Sequence, residues 1–181
     1  MELDDAILRR RTVHTFNSKK VPDRLIEKAI LAANQAPCHK RTFPWRFINV
    51  SDLKRQQIFE IYLASIALIS NEALDERKMH DKIFNPSHLI IPLQSISSNP
   101  IRRKEDYAAC ACAIQNLSLS LVAENVYCKW STSSITNTQQ IYDAFGINKQ
   151  NEEVIGFLYI GYGVVPSAVN RPSLPEIFRT I

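Results

Sequence analysis

The stretch Glu105-Asp106-Tyr107-Ala108-Ala109-Cys110-Ala111-Cys112-Ala113-Ile114-Gln115-Asn116-Leu117-Ser118-Leu119-Ser120-Leu121-Val122-Ala123-Glu124 decides the fold class. It holds no Gly or Pro and is rich in Ala and Leu, which predicts one long helix over 105–124. Ala108, Ala109, Ala111, Ala113, Ile114, Leu117, Leu121 and Val122 make this helix apolar nearly all round. Such a helix belongs inside a core or a subunit interface. Downstream, Val126 to Trp130 reads as a strand, and Val154 to Tyr162, with Ile155, Phe157, Leu158, Tyr159 and Ile160, as the clearest strand of all. Between them, residues 138–145 form a short helix that Gly146 closes.

Upstream, residues 2–10 read as a short helix with Leu3, Ala6 and Ile7 on one face. Pro22 and Asp23 open a clearer one, in which Leu25, Ile26, Ala29, Ile30 and Ala33 recur at helical spacing and which Pro37 ends. Cys38 to Pro44 is a polar, basic loop, Arg46 to Val50 a strand, and Ser51-Asp52 a helix start. Residues 71–83 suit a charged helix. His88 to Ser95 suits a buried strand, with Pro92 pointing to an edge or a distortion. The tail after Pro166 reads as an extended arm that must dock somewhere. Few strands, separated by helices, imply an α+β fold with a small central sheet and helices packed on it.

The 181 residues favour one domain, 1–181, and 45% hydrophobic against 22% charged residues suffices for a core. With only 4 glycines, no Gly-rich phosphate loop can be written, so any nucleotide must be held another way. The net charge of +4 is mild, and its two compact basic clusters, Arg9-Arg10-Arg11 and His39-Lys40-Arg41, carry no reading motif. They suit a small anion better than nucleic acid. Cys38, Cys110, Cys112 and Cys128 lack metal-ligand spacing and read as small buried thiols. Cys110 and Cys112 lie two helical positions apart, roughly 200° around the axis, and should point to opposite sides. No signal peptide and no membrane-spanning run is visible, so the cytoplasm is the expected compartment.

Four segments in order then resemble the FMN-dependent nitroreductase-like family, in its compact NAD(P)H nitroreductase subgroup. They are Leu8-Arg9-Arg10-Arg11-Thr12-Val13-His14-Thr15-Phe16; Ala32-Ala33-Asn34-Gln35-Ala36-Pro37-Cys38-His39-Lys40 followed by Pro44-Trp45; the apolar helix leading through Val126 to Trp130-Ser131-Thr132; and Glu153-Val154-Ile155-Gly156-Phe157-Leu158-Tyr159-Ile160-Gly161. The resemblance covers nearly the whole chain. It implies a mainly antiparallel sheet, an intertwined homodimer, FMN as cofactor and NAD(P)H as electron donor. The implied reaction passes hydride through the flavin to nitroaromatic, quinone or similar flat acceptors.

It also implies site residues. Arg10, Arg11 and Thr12 fit the FMN phosphate, since guanidinium groups make paired, charge-assisted hydrogen bonds. Gln35 and His39 of one subunit would reach the flavin held by the other. Trp130, Ser131 and Thr132 would line the flavin, their hydroxyls and N–H groups serving its carbonyls; plain core packing is the competing reading for Trp130. No catalytic side chain is assigned, because the cofactor does the redox work, and no metal is expected. Phe43, Tyr127, Lys129 and Ser131 depart from the family pattern, which usually shows glycines just before the tryptophan. They leave open a catalytically weak or silent flavin-binding paralogue.

Overall fold

The computed structural model describes residues 1–67 and 75–181. Its centre is a five-stranded antiparallel sheet of β1 (Trp45–Asn49), β2 (His88–Ser95), β3 (Tyr127–Ser131), β4 (Glu152–Val154) and β5 (Phe157–Gly161), in the order β1-β2-β5-β3 with β4 also paired to β2. Helices α1 (Leu3–Arg9), α2 (Asp23–Ala33), α3 (Asp52–Ala67), α4 (Glu76–Phe84), α5 (Pro100–Ala123), α6 (Gln139–Phe145) and the short α7 (Leu174–Ile177) complete it. The expected α+β architecture is what forms.

Strand alternation sorts the core into two layers. Ile90, Leu158 and Ile160 face α2 and α5, where they meet Leu25, Ala29, Ala113, Ile114 and Leu117. Leu89, Ile91, Phe157 and Tyr159 face the other way, packing with Ile58 of α3, Ile83 of α4 and Ile141 of α6. Both faces of β2 and β5 are therefore covered, which is why these strands read as apolar runs rather than as alternating ones.

Several boundaries differ from the sequence expectation. The long helix begins at Pro100, five residues before 105, because Asn99 Oδ1 accepts from the N–H groups of Ile101 (2.9 Å) and Arg102 (3.1 Å). An Asn cap with Pro at the first turn is a strong start signal, and it lies outside the apolar stretch. The helix is not apolar all round in packing terms, since Ala108, Cys112 and Gln115 are exposed. On α1 only Ala6 is buried; Leu3 and Ile7 face solvent. Of the predicted helix 71–83, residues 71–74 lie outside the described residues, and α4 runs to Phe84 with Asp75 as its cap. Cys110 and Cys128 are buried as expected, but Cys112 is exposed and Cys38 only half-buried.

The expected single strand Val154–Tyr162 is two. β2 pairs its first half, His88–Ile90, with β5 and its second half, Leu93–Ser95, with β4. Between them the chain breaks at Ile155-Gly156, where Ile155 N–H donates to Pro92 O (3.1 Å) and Gly156 takes φ +142°. Pro92 therefore sits in an interior strand, not on an edge. In an antiparallel strand a residue's N and O point the same way, so its missing donor faces this break and interrupts no ladder. A Cβ on Gly156 would lie 2.5 Å from Trp130 Nε1.

Candidate functional site

After α1, the chain runs beside the outer edge of β3. Thr12 forms a parallel bridge with Cys128, and Phe16 an antiparallel one with Gly163. This docks Arg10, Arg11 and Thr12 against the strand that leads to Trp130, Ser131 and Thr132, so two of the predicted clusters come together. Arg9 is taken by Asn125, whose Oδ1 accepts from its Nη2 at 2.9 Å. Arg11 Nη1 donates to the Leu8 and Arg10 carbonyls. The half-buried Arg10 has no hydrogen-bonded side-chain partner among the described residues. Its charge is felt at Cys128, whose thiol burial pushes up to about 12 against the opposing pull of Ser118 and Arg10.

Beyond Thr12 the same segment becomes a wall. His14, Thr15 and Phe16 line a cavity of about 410 Å³ together with Lys129 of β3 and Asp75, Lys78 and Lys82 on and just before α4. Three segments distant in sequence thus meet on one side of the β3 edge. Behind them lies a polar cluster. Lys82 Nζ donates to Tyr62 Oη (3.2 Å) and sits over the Tyr62 and Tyr159 rings at 4.7 and 5.7 Å. Burial alone would raise the Tyr62 pKa, but the Ser133 hydroxyl and the Lys82 ammonium outweigh it and leave it lowered. Lys129 is held below its ordinary value, first by burial and then by Lys82. Burial raises the Tyr159 phenol.

Gln35 and His39 lie elsewhere. Both are exposed, and His39 Nε2 is 4.0 Å from Glu105 near the start of α5, while Lys28 reaches Glu124 at its end. The rise of α5 from Glu105 to Ala123 places His39 about 27 Å along the helix from the Arg10 region. One chain does not bring them together. The loop that carries His39 is tightly determined all the same. Lys40, Arg41 and Phe43 all have positive φ (55°, 55° and 44°), costly for bulky side chains. Thr42 Oγ1 donates to Asp106 Oδ1 (2.7 Å), and the Phe43 N–H donates to Cys38 Sγ (3.2 Å).

Trp130 is committed to packing. Its Nε1 donates to Ile155 O (3.0 Å) and its ring lies against the α2–α5 layer. Ser131 Oγ donates to Thr132 O at 3.3 Å. Of the departures, Lys129 enters the large cavity, and Tyr127 lines a second one, of about 330 Å³, with Leu8, Arg11 and Pro166. The sharp turn before β3 keeps its conformation without glycine, because Asn125 adopts φ +56°, and Asn tolerates that region better than other side chains.

Sequence reasoning missed His14, Tyr62, Lys78 and Lys82. The run Arg9-to-Phe16 was in view, but nothing in it says that α4 would fold over its end. The tail is extended apart from α7, and among the described residues no docking of it is seen on this chain. Val164 N–H still bonds to Thr15 O (3.0 Å), and every residue from Val164 to Ile181 is exposed. Val169, Leu174, Ile177 and Phe178 stand among them, each more than 60% accessible.

The helix-covered antiparallel sheet places the chain in the α+β class, and the basic recess beside the arginines that close α1 suits a small anion. Within that class the family is specific: the nitroreductase family model matches residues 7–162, and the chain belongs to the nitroreductase family, as an enzyme of its flavin oxidoreductase type. The chain is 29% identical over 164 residues to YfhC of Bacillus subtilis, a candidate NAD(P)H nitroreductase, covering 88% of this chain and 84% of that one. It superposes on a nitroreductase-like family protein from Bacillus cereus with a TM-score of 0.84 at 24% identity, over 100% and 96% of the two chains. A candidate nitroreductase of Desulfovibrio desulfuricans, crystallised in complex with FMN, gives 0.78 at 16% identity, over 100% and 98%.

Proposed function

We propose that this enzyme binds FMN between two copies of the chain and uses NAD(P)H to reduce small flat acceptors such as nitroaromatics or quinones. The observation that carries this reading is the continuity of one segment, Arg10 to Phe16, from a guanidinium cluster into the wall of the cavity. Arg10 and Arg11 would hold the phosphate, with Thr12 adding a hydroxyl donor. His14 would face the ring edge, where an N–H donor satisfies a carbonyl that burial otherwise strands. FMN, when bound, supplies the electron-carrying ring. The protein orients it and keeps water from one side, with Trp130 fixing the strand beneath.

The second copy supports the same reading. His39 stands about 27 Å along α5 from the Arg10 region by helix rise and, with Gln35, would serve a ring in another subunit's site. The exposed apolar arm after Val164 is a surface that a partner would cover. Four free thiols suit a reducing compartment such as the cytoplasm.

The test is colour. Purified protein should carry flavin absorbance that bleaches with NADH or NADPH and returns with an added quinone. Replacing Arg10 and Arg11 together with Ala should weaken FMN retention by about 2–3 kcal/mol, the scale of lost charge-assisted bonds. Unchanged FMN affinity in that variant would place the phosphate elsewhere. Lys129 in the cavity motivates one other reading, a silent flavin binder, which colour without bleaching would establish.

A further inference from the structure

We propose that the Lys82–Lys129 end of the cavity binds a carboxylate, so that the preferred acceptor is a flat aromatic monoanion rather than a neutral ring. This rests on the cofactor placement above. The two ammonium groups come from different elements, α4 and β3, and line the same cavity. Lys82 is positioned but not neutralised. Its fixed contacts are a phenol oxygen and two aromatic faces, all uncharged. An ammonium has three donors, and the Tyr62 bond uses one.

Two acids, Asp75 and Asp81, also line the cavity, against four bases, Arg77, Lys78, Lys82 and Lys129. Asp75 Oδ1 caps α4 by accepting from Lys78 N–H (2.9 Å), and Asp81 lies beside His80 Nδ1 at 3.9 Å. Among the described residues no carboxylate comes within 4.0 Å of Lys82 or Lys129. Lys129 is held down by burial and by its neighbour's charge, a cost that a bound anion relieves. Neither the phosphate nor the oxidised ring accounts for this charge. Arg10 and Arg11 suffice for the first, and the second is neutral. Two ammonium groups in one cavity can each donate to an oxygen of a carboxylate.

The experiment titrates purified holoprotein with benzoate and with its neutral isostere benzamide, following heat and the flavin spectrum, with FMN content measured in each sample. Benzoate should bind at least about tenfold tighter, the worth of one charge-assisted contact in a partly buried site. Lys82→Met and Lys129→Met should each erase most of that preference while leaving benzamide affinity unchanged. Lys129→Arg, which keeps the charge, should retain it. Lys104→Gln, an exposed change of equal charge on α5, should alter nothing. Equal binding of the two probes overturns the proposal, as does a loss of preference in Lys104→Gln matching that in the cavity variants. Full flavin content without preference for benzoate defeats this inference alone. A colourless protein defeats the cofactor reading, and the same titration of it still decides whether the lysine pair selects a carboxylate.

Discussion

On one side of the sheet, α2 and α5 press Ala29, Ala113, Ile114 and Leu117 against Ile90, Leu158 and Ile160, and the buried Asp106 and Gln94 are each hydrogen-bonded. On the other side, α3 and α4 bring Arg55, Tyr62 and Lys82 in beside Tyr159, and the layer opens into the basic cavity. Arg55 shows the cost of that arrangement. It is 3% exposed, donates to the Pro86 and Ser87 carbonyls at 2.7 and 2.8 Å, and leaves its Nε without a bond. Its pKa is lowered by burial in spite of Asp52. One layer is a close-packed wall of small and branched side chains; the other gives up apolar contact to hold charges in place. The first carries stability, and the second holds the charged lining of the cavity.

The largest effect should come from the wall. Leu117 is fully buried on α5, and Leu117→Ala should cost about 2–5 kcal/mol, from lost transfer energy plus the cavity left behind. Denaturant unfolding measures it. A loss under 1 kcal/mol would mean the two layers do not differ as described. Gly156→Ala should come next, at about 1–3 kcal/mol, the range for a non-glycine residue in a forbidden backbone region. It should also displace the Trp130 indole, readable as a shift in tryptophan emission, because the new Cβ would lie against Nε1. An unshifted spectrum with full stability would show that the β4–β5 break is softer than it looks.

The smallest effect concerns the thiols. Cys110 and Cys128 are both pushed up to about 12, first of all by burial. Below the ordinary thiol value of 9.0 the folded and unfolded chains both keep these protons. As pH rises from there towards 12, the unfolded chain sheds protons that the folded chain keeps, so stability must fall across that window. Melting temperatures from pH 8 upward check this, and Cys110→Ala combined with Cys128→Ala should flatten the slope. Thiol labelling of the native protein should strike the exposed Cys112 and spare those two until unfolding.

Periodicity and composition made most of the helices legible. The spacing of Leu25, Ile26, Ala29 and Ala33, all four buried, is an α2 that could be read directly. Gly146 closes α6 in the left-handed conformation, at φ +63°. The start of α5 escaped because its signal is a cap, Asn99-Pro100, and not a period. The split between β4 and β5 escaped because Val154 to Tyr162 is apolar on both sides of the break, and a run covered on both faces carries no alternation to show where pairing changes. Among site residues, the arginines announced themselves by charge, whereas Lys82 and Tyr62 sit in ordinary helical sequence and gain meaning only from what they face.

By itself, then, the chain's order of residues determined an α+β class, the buried helix, the strands that flank it and a guanidinium cluster near the first turn. These follow from local rules of propensity, period and charge that act within a few residues. The tertiary structure alone decided which segments share a cavity, that Lys129 and Lys82 both line it, and that His39 stands most of a helix length from the Arg10 region. Those relations join residues 14, 82 and 129, and no local rule spans such distances. They are set by how two helical layers close over a sheet.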